Sequence, residues 1–193
     1  MPHILISLLG KGQAELRSDD NNNKRGFNYR EAFYFFPPNR TEELKTPFVS
    51  EAILALSSPK KFDEIYILGT QDSMWDALYV HSFKDNIDDE TFETWEHITQ
   101  CKKKQSIGIQ ELNSVSNALE TLLHTKINAQ IIGVGKSYDE LWSIFETIIN
   151  IPKEGDTVSF DITYGLRYQP FFAMLSLNYF RQIKNITIAH IFY

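Results

Sequence analysis

The sequence predicts an α/β fold: a Rossmann-like, mainly parallel sheet with helices on both faces. Short apolar runs, typical of buried strands, alternate with segments of helical apolar spacing along the 193 residues. The run HILISLLG at residues 3–10 is apolar at almost every position, as expected of a strand covered on both faces. A hydrophobic content of 42% is that of a globular protein. We therefore expect residues 1–193 to form one domain.

Six segments rich in apolar and β-branched residues predict strands. They are HILISLLG (3–10), FNYREAFYFF (27–36), EIYILGTQDSMWD (64–76, running into a loop), INAQIIGVGKS (127–137), DTVSFDITYG (156–165) and NITIAHIFY (185–193). Residues 18–26, SDDNNNKRG, are polar and turn-forming and predict a surface loop.

Helical spacing of apolar residues predicts the segments between the strands. They are TPFVSEAILALSS (46–58), ETFETWEHITQC (90–101), SVSNALETLLH (114–124), YDELWSIFETIIN (138–150) and RYQPFFAMLSLNYFRQI (167–183). Pro47 suits a first helical turn, and Ser114 or Ser116 is expected to begin the third of these helices. The acidic and basic clusters of residues 84–105 indicate a solvated insertion around the second helix.

Charge and cysteine content restrict the class of protein. The net charge of −6 disfavours a duplex-DNA binder that relies on neutralising phosphates. Cys101 is the only cysteine, so no intrachain disulfide forms and a reducing compartment is indicated. The start MPHILISLLG lacks the basic region of a signal peptide, and no apolar stretch approaches a membrane span. A cytoplasmic protein is expected. The chain stops on a strand, IAHIFY, which suggests a domain from a longer protein.

Four strand ends carry glycine beside serine, threonine, lysine or arginine: LLGKG, LGTQDS, GVGKS and DITYGLR. Ligands of open α/β sheets bind beyond the carboxyl ends of the strands, at the point where the strand order reverses. These polar strand ends therefore predict the binding site.

DITYGLR is the most informative of the four. Asp161 can accept hydrogen bonds from N–H groups of its own loop and fix the loop's shape, a role we favour over that of a catalytic base. Gly165 permits a backbone conformation closed to other residues. Thr163 and Arg167 can then offer a hydroxyl and a bidentate cation to a phosphate at the N-terminus of the next helix.

LLGKG admits two interpretations of equal weight. Gly10 and Gly12 let the backbone approach a ligand closely, with Lys11 as a mobile positive charge. Alternatively, the segment is a simple turn after a strand.

LGTQDSMWD is also open to two interpretations. Thr70, Gln71 and Ser73 can hydrogen-bond a base edge or a phosphate, with Trp75 stacked on a purine. Alternatively, Asp72 or Ser73 caps a helix and Trp75 belongs to the core.

The usual cofactor and metal motifs are missing. GVGKS is not a P-loop, because the position five residues before Gly135 is Gln130, and we expect Lys136 and Ser137 to begin a helix instead. His97 and Cys101 are taken as a solvated helix face. No nucleophile elbow or zinc-deaminase pattern occurs. No metal and no cofactor are predicted.

Three of these segments resemble one family. DITYGLR is similar to the DxTHG motif of CRISPR-associated CARF-domain proteins, with Tyr164 in place of the histidine. ISLLGKG and ILGTQDSMWD resemble that family's first strand–loop and its Gly-Thr-x-x-Ser-x-Trp-Asp stretch. The three segments are spread over most of the chain, so the resemblance covers the whole domain.

The resemblance implies a two-fold dimer that binds a cyclic oligoadenylate made by type III CRISPR complexes, tetra-adenylate in preference to hexa-adenylate. A cyclic ligand suits an isologous dimer, since each subunit presents the same loops to half of the ring. The implied pocket residues are Leu9, Gly10, Lys11, Gly12, Thr70, Gln71, Ser73, Asp161, Thr163, Tyr164, Gly165 and Arg167.

The resemblance also sets the alternatives. Family members usually carry an effector on the C-terminal side; no ribonuclease or deaminase motif is visible here, so this chain is expected to be the sensor. Some members cleave the ring without metal, by attack of a ribose 2′-hydroxyl on the adjacent phosphate. Candidate residues for that reaction are Lys11, Thr70, Ser73, Thr163 and Arg167. An unrelated nucleotide-binding α/β enzyme is the remaining alternative.

Overall fold

The computed structural model describes residues 1–11, 15–16, 27–28, 31–36, 39–56, 62–84, 86–164 and 169–193. Its strands are β1 His3–Leu9, β2 Glu15–Leu16, β3 Phe27–Asn28, β4 Ala32–Phe36, β5 Asn39–Thr46, β6 Glu64–Gly69, β7 Lys126–Ile131, β8 Thr157–Asp161 and β9 Thr187–Phe192. Its helices are α1 Val49–Leu56, α2 Trp75–His81, α3 Asp89–Lys103, α4 Ile109–Leu123, α5 Tyr138–Asn150 and α6 Gln169–Ile183.

The chain forms two compact units. The first consists of residues 1–10, 61–71 and 125–193, and the second of residues 11–60 and 72–124. The first unit holds a five-stranded sheet in the order β7-β6-β1-β8-β9, with every neighbouring pair parallel. The predicted Rossmann-like, mainly parallel sheet is confirmed.

The core of the first unit lies on one face of this sheet. Side chains alternate along a strand, so Ile6 and Leu8 of β1 share a face with Phe160 of β8. These residues belong to one buried cluster with Ile144 of α5 and Phe180 of α6. The apolar stripes of α5 and α6 therefore cover that face. These five large buried side chains pack closely and hold the strands of the sheet in fixed positions.

The second unit combines an antiparallel pair, β4–β5, with helices α1 to α4. Helix α1 packs on this pair, and α2 packs on α3 and α4. Trp75 is fully buried in α2, as is Ile98 in α3. The 84–105 segment, predicted to be a solvated insertion, thus contributes a core residue.

Several element predictions need correction. Strand β5 was not predicted, because its sequence NRTEELKT is polar. It forms a strand because it pairs with β4. The aromatic segment 27–36 contains two strands, β3 and β4, instead of one. Helix α4 begins at Ile109, not near Ser114, because the Glu111 carboxylate accepts the Gly108 N–H at 2.8 Å. The loop predicted at 18–26 lies outside the described residues.

None of the helices within the described residues is long and apolar enough to cross a bilayer.

Candidate functional site

The strand order reverses between β1 and β8, where open α/β sheets have a crevice at the carboxyl ends of the strands. From β1, the strands β6 and β7 extend the sheet to one side, and β8 and β9 extend it to the other. The reversal between β1 and β8 is the position where open α/β sheets bind ligands. Gly10 follows β1 there, and residues 162–164 follow β8. Two of the four predicted polar strand ends thus meet at the reversal point.

Asp161 ends β8 as a fully buried carboxyl group. Its register partner on β1 is Ser7, whose hydroxyl donates to Asp161 Oδ2 at 2.6 Å. The N–H of Thr163 donates to Asp161 Oδ1 at 3.0 Å. Burial raises the pKa of the Asp161 carboxyl above its ordinary value, while the bonds from Ser7 and Thr163 lower it in part. Because the group is buried and both oxygens are occupied, it serves as a clamp and not as a general base.

The Asp161–Thr163 bond closes a turn at the start of residues 161–164, here called the DITY loop. A carboxylate that accepts the N–H two residues on is the usual Asx turn. Thr163 is exposed beyond this turn, and its side chain also bonds to Asp161. The predicted loop-shaping role of Asp161 is confirmed, and Thr163 is exposed at this turn.

Tyr164 packs directly against Gly10. A Cβ atom placed on Gly10 would lie 3.2 Å from Tyr164 Cβ and 3.6 Å from Tyr164 Cγ. Real Cβ atoms rarely approach so closely, so only glycine allows this contact without a displacement. Tyr164, which replaces the family's histidine, is half-buried and ties the two loops of the crevice together. Leu9, the residue before Gly10, is largely buried.

Thr70 and Gln71 follow β6, the neighbour of β1. The register pairs Leu9 with Gly69, so Thr70 and Gln71 lie at the same edge of the sheet as the DITY loop. Thr70 is only 4% exposed and Gln71 is half-buried. Both already have interactions within the protein. The amide of Gln71 is therefore more accessible to a ligand than the Thr70 hydroxyl.

Lys11 belongs to the second unit and is paired there. Its Nζ lies 2.7 Å from Asp72 Oδ2, and Gln105 Nε2 donates to Asp72 Oδ1. The bonds from Lys11 and Gln105 hold the pKa of the Asp72 carboxyl below its ordinary value. Exposed pairs of this kind contribute about 0–1 kcal/mol. Lys11, with a half-exposed side chain, can therefore exchange Asp72 for a phosphate at small cost.

The structure buries Ser73 and Trp75, contrary to the interpretation in which they contact a ligand. Ser73 is 1% exposed and forms an isolated antiparallel bridge with Lys11. Trp75 is fully buried, so it is a core residue and the base-stacking alternative is wrong. The capping alternative is also wrong in part, because Met74 precedes α2 and makes no side-chain cap bond.

Gly12, Gly165 and Arg167 lie outside the described residues. Their predicted roles, two permissive glycines and a phosphate-binding guanidinium, stay predictions.

The backbone N–H groups at the end of the GVGKS segment and in the first turn of α5 are bonded to nearby side chains. Ser137 Oγ accepts the Glu140 N–H at 3.2 Å, and Glu140 Oε2 accepts the Lys136 N–H at 2.7 Å. A carboxylate thus occupies the N–H group that a phosphate would need. The prediction that Lys136 and Ser137 begin a helix is confirmed, and the rejection of a P-loop agrees with this geometry.

Sequence reasoning missed Ser7 and Gln105. Ser7 lies in an apolar strand, and the relevant signal was a lone hydroxyl at the β1 position in register with Asp161. Gln105 lies far from Asp72 in the sequence, so no local motif could predict their hydrogen bond.

The strand order and the clamped loop at its reversal point define a ligand-binding domain of the Rossmann-like class. Residues 4–193 match the family model described as "CRISPR system endoribonuclease Csx1, CARF domain". The chain therefore belongs to the CARF-domain family of CRISPR proteins, the ligand-sensing domains that its sequence resembles. It is also 27% identical to CRISPR-associated protein MJ1674 of Methanocaldococcus jannaschii, over all of this chain and 31% of that protein. The chain thus spans about a third of the length of that relative.

Proposed function

We propose that this chain is the sensor domain of a type III CRISPR effector, and that it binds a cyclic oligoadenylate, tetra-adenylate in preference to hexa-adenylate. The observation that carries the proposal is the clamped DITY loop, held by Asp161 and Ser7 at the strand-order reversal. A fixed loop at that position has its polar groups arranged before the ligand arrives, which reduces the entropic cost of binding.

The chemistry of the edge fits a ribose-phosphate ligand. Thr163 is exposed, and its hydroxyl can accept a hydrogen bond from a ligand while it donates to Asp161. Gln71 offers an amide that can hydrogen-bond a base or a ribose. Gly10 allows the close packing of Tyr164 that holds the two loops together. Cationic partners for the phosphates are proposed to be Lys11, exchanged from Asp72, and Arg167.

We place the proposed effector in another part of the protein, because this chain spans about a third of the length of the relative that it matches. Occupation of the sensor by the ring would change the effector's activity through a dimer of sensor domains. Two copies of the crevice related by a two-fold axis would each hold half of the ring.

The test is calorimetric titration of the purified chain with cyclic tetra-adenylate, cyclic hexa-adenylate and linear tetra-adenylate. We expect the cyclic tetra-adenylate to bind most tightly, at one ring per two chains. Absence of binding to either ring would refute the proposal, and tighter binding of a mononucleotide or dinucleotide would favour an unrelated nucleotide-binding enzyme instead.

A variant links the binding to the crevice. Gly10→Ala adds a methyl group 3.2 Å from Tyr164 Cβ and so displaces the DITY loop. We expect it to weaken ring binding by about tenfold, or about 1.4 kcal/mol. Gly108→Ala is the matched control, since its new methyl group meets only Glu111 Oε2, at an ordinary contact distance of 3.4 Å, and should leave the affinity unchanged.

Chromatography of each titrated mixture separates the sensor from the alternative, a metal-independent ring nuclease. An intact ring after prolonged incubation supports a pure sensor. Linear fragments would support the nuclease, and loss of turnover in Lys11→Ala would assign the stabilising cation. Burial of Thr70 and Ser73 disfavours these two residues as groups that orient the nucleophile.

A further inference from the structure

Three side chains with metal-binding atoms converge in the second unit, away from the DITY loop in sequence. They are His97 and Cys101 of α3 and Glu111 of α4. Their candidate ligand atoms all lie within 4.8 Å of one another. The sequence predicted that His97 and Cys101 form only a solvated helix face, because Glu111 lies on another helix and has no fixed spacing from them. The structure supplies this third residue.

The distance between Cys101 and His97 matches that around a tetrahedral zinc ion. Zn–S and Zn–N bonds of about 2.3 and 2.0 Å separate sulfur from nitrogen by about 3.5 Å in a tetrahedron. Cys101 Sγ and His97 Nε2 lie 3.6 Å apart. His97 Nε2 and Glu111 Oε1 are 2.8 Å apart, a hydrogen-bond distance that must lengthen by about 0.5 Å around an ion. The exposed His97 ring can move by that amount.

The three residues have the mobility and support expected of ligands. Cys101 and His97 are four positions apart on one helix, so their side chains share a face. Glu111 is buried, and its other oxygen accepts the Gly108 N–H at 2.8 Å, which orients the carboxylate. Such outer bonds to a ligating carboxylate fix its direction toward a metal.

Glu93, one turn before His97, lines a recess between α3 and α4 together with His97 and Glu111. Three protein ligands leave the fourth position of a tetrahedral zinc ion to water.

We propose that His97, Cys101 and Glu111 form a binding site for Zn²⁺ that joins α3 to α4. Imidazole, thiolate and carboxylate together favour zinc over magnesium or calcium, which prefer oxygen ligands alone. Binding requires the ring hydrogen of His97 to reside on Nδ1 and releases the Cys101 thiol proton to solvent. No change of oxidation state is involved.

The test uses Co²⁺ as a spectroscopic substitute for Zn²⁺, added to the full chain kept reduced and freed of metal. We expect a thiolate-to-cobalt charge-transfer band that saturates at one ion per chain and is removed by competing Zn²⁺. Cys101→Ser should abolish this band. His97→Gln should weaken Zn²⁺ binding by at least about tenfold.

The control is His124→Asn, a histidine substitution at the exposed end of α4, where the left-handed conformation suits asparagine. It should bind Co²⁺ as the unmodified chain does. Zn²⁺ should also raise the melting temperature of the unmodified chain and of His124→Asn, but not that of Cys101→Ser.

The proposal fails if no charge-transfer band develops, or if Cys101→Ser retains the band. It also fails if His97→Gln binds as tightly as the unmodified chain, since a lone thiol would then account for the signal. His97 is exposed, so this variant stays folded even if Cys101→Ser does not. Gly10→Ala, which perturbs the ring-binding crevice, should leave metal binding intact and keeps the two proposals separable.

Discussion

A row of polar side chains lies on the face of β1 and β8 opposite the main core cluster. His3 Nε2 lies 2.8 Å from Ser159 Oγ, and Ser7 donates to Asp161 at 2.6 Å. Buried polar groups cost free energy unless they are hydrogen-bonded, and all four groups here have partners. The pairs fix the register of the two strands that border the crevice. Stability and site geometry thus depend on the same bonds.

Asp161→Asn should reveal the cost of the buried carboxylate. The pKa of Asp161 is raised in the folded state, so between its ordinary value of 3.8 and the folded value the native chain binds more protons than the unfolded chain. Its contribution to stability therefore falls as pH rises through that window and stays level above it. We expect the difference in unfolding free energy, Asp161→Asn minus unmodified chain, to rise with pH in this window, measured by denaturant titration.

Comparison of the two chains cancels the other carboxyl groups. Glu51 and Asp72 have pKa values below their ordinary ones, so their stabilisation is lost as pH falls. Ser7→Ala is a further check. It removes a bond that lowers the pKa of Asp161, so the window should extend to higher pH. A difference that does not change with pH would contradict an ionisable, buried Asp161.

At the residue scale, the sequence predicted the side chain that acts locally and missed those that act across the fold. Asp161 was assigned its clamping role because its partner, Thr163, lies two positions on. Ser7 could not be assigned, since its bond to Asp161 depends on strand register. The contact of Tyr164 with Gly10 has the same origin.

At the scale of elements, α5 shows how a cap and an apolar stripe together define a helix. Its bounds, Tyr138–Asn150, coincide with the predicted segment. Ser137 satisfies the Glu140 N–H at the start, and Ile144 and Ile148 are buried on one face. Helix α4 was predicted less well, because its first turn is closed by Glu111 bonding to a glycine, without a serine cap.

Ser137→Ala should lower the unfolding free energy by about 1 kcal/mol, since it leaves the Glu140 N–H without its side-chain acceptor. Ser143→Ala makes the same chemical change at an exposed position inside α5. Alanine has the higher helix propensity there, so this control should be neutral or stabilising by a few tenths of a kcal/mol. Equal losses in both variants, measured by denaturant titration, would contradict a capping role for Ser137.

At the scale of the whole molecule, the proposed sensor function requires two copies of the chain. A ring held by two equivalent crevices predicts a particle of twice the chain mass of 22.4 kDa. Sedimentation over a concentration series, with and without cyclic tetra-adenylate, measures this mass. We expect the ring to shift the equilibrium toward the dimer, because it binds the dimer and not the monomer. A monomer at saturating ring would contradict a shared site.

The two strands that border the proposed site, β1 and β8, are far apart in the sequence. Ser7 and Asp161 are 154 positions apart, while the β1–β6 pairing connects residues 60 positions apart, such as Ile4 and Glu64. Contacts between such distant residues form late, because a long loop must close before they contribute. During translation, one edge of the apolar β1 strand therefore stays unpaired until β8 emerges, and an exposed strand edge invites aggregation. The junction of β1 with β8 therefore forms only after β8 has been synthesised, and a ligand of the proposed site cannot assist folding before then.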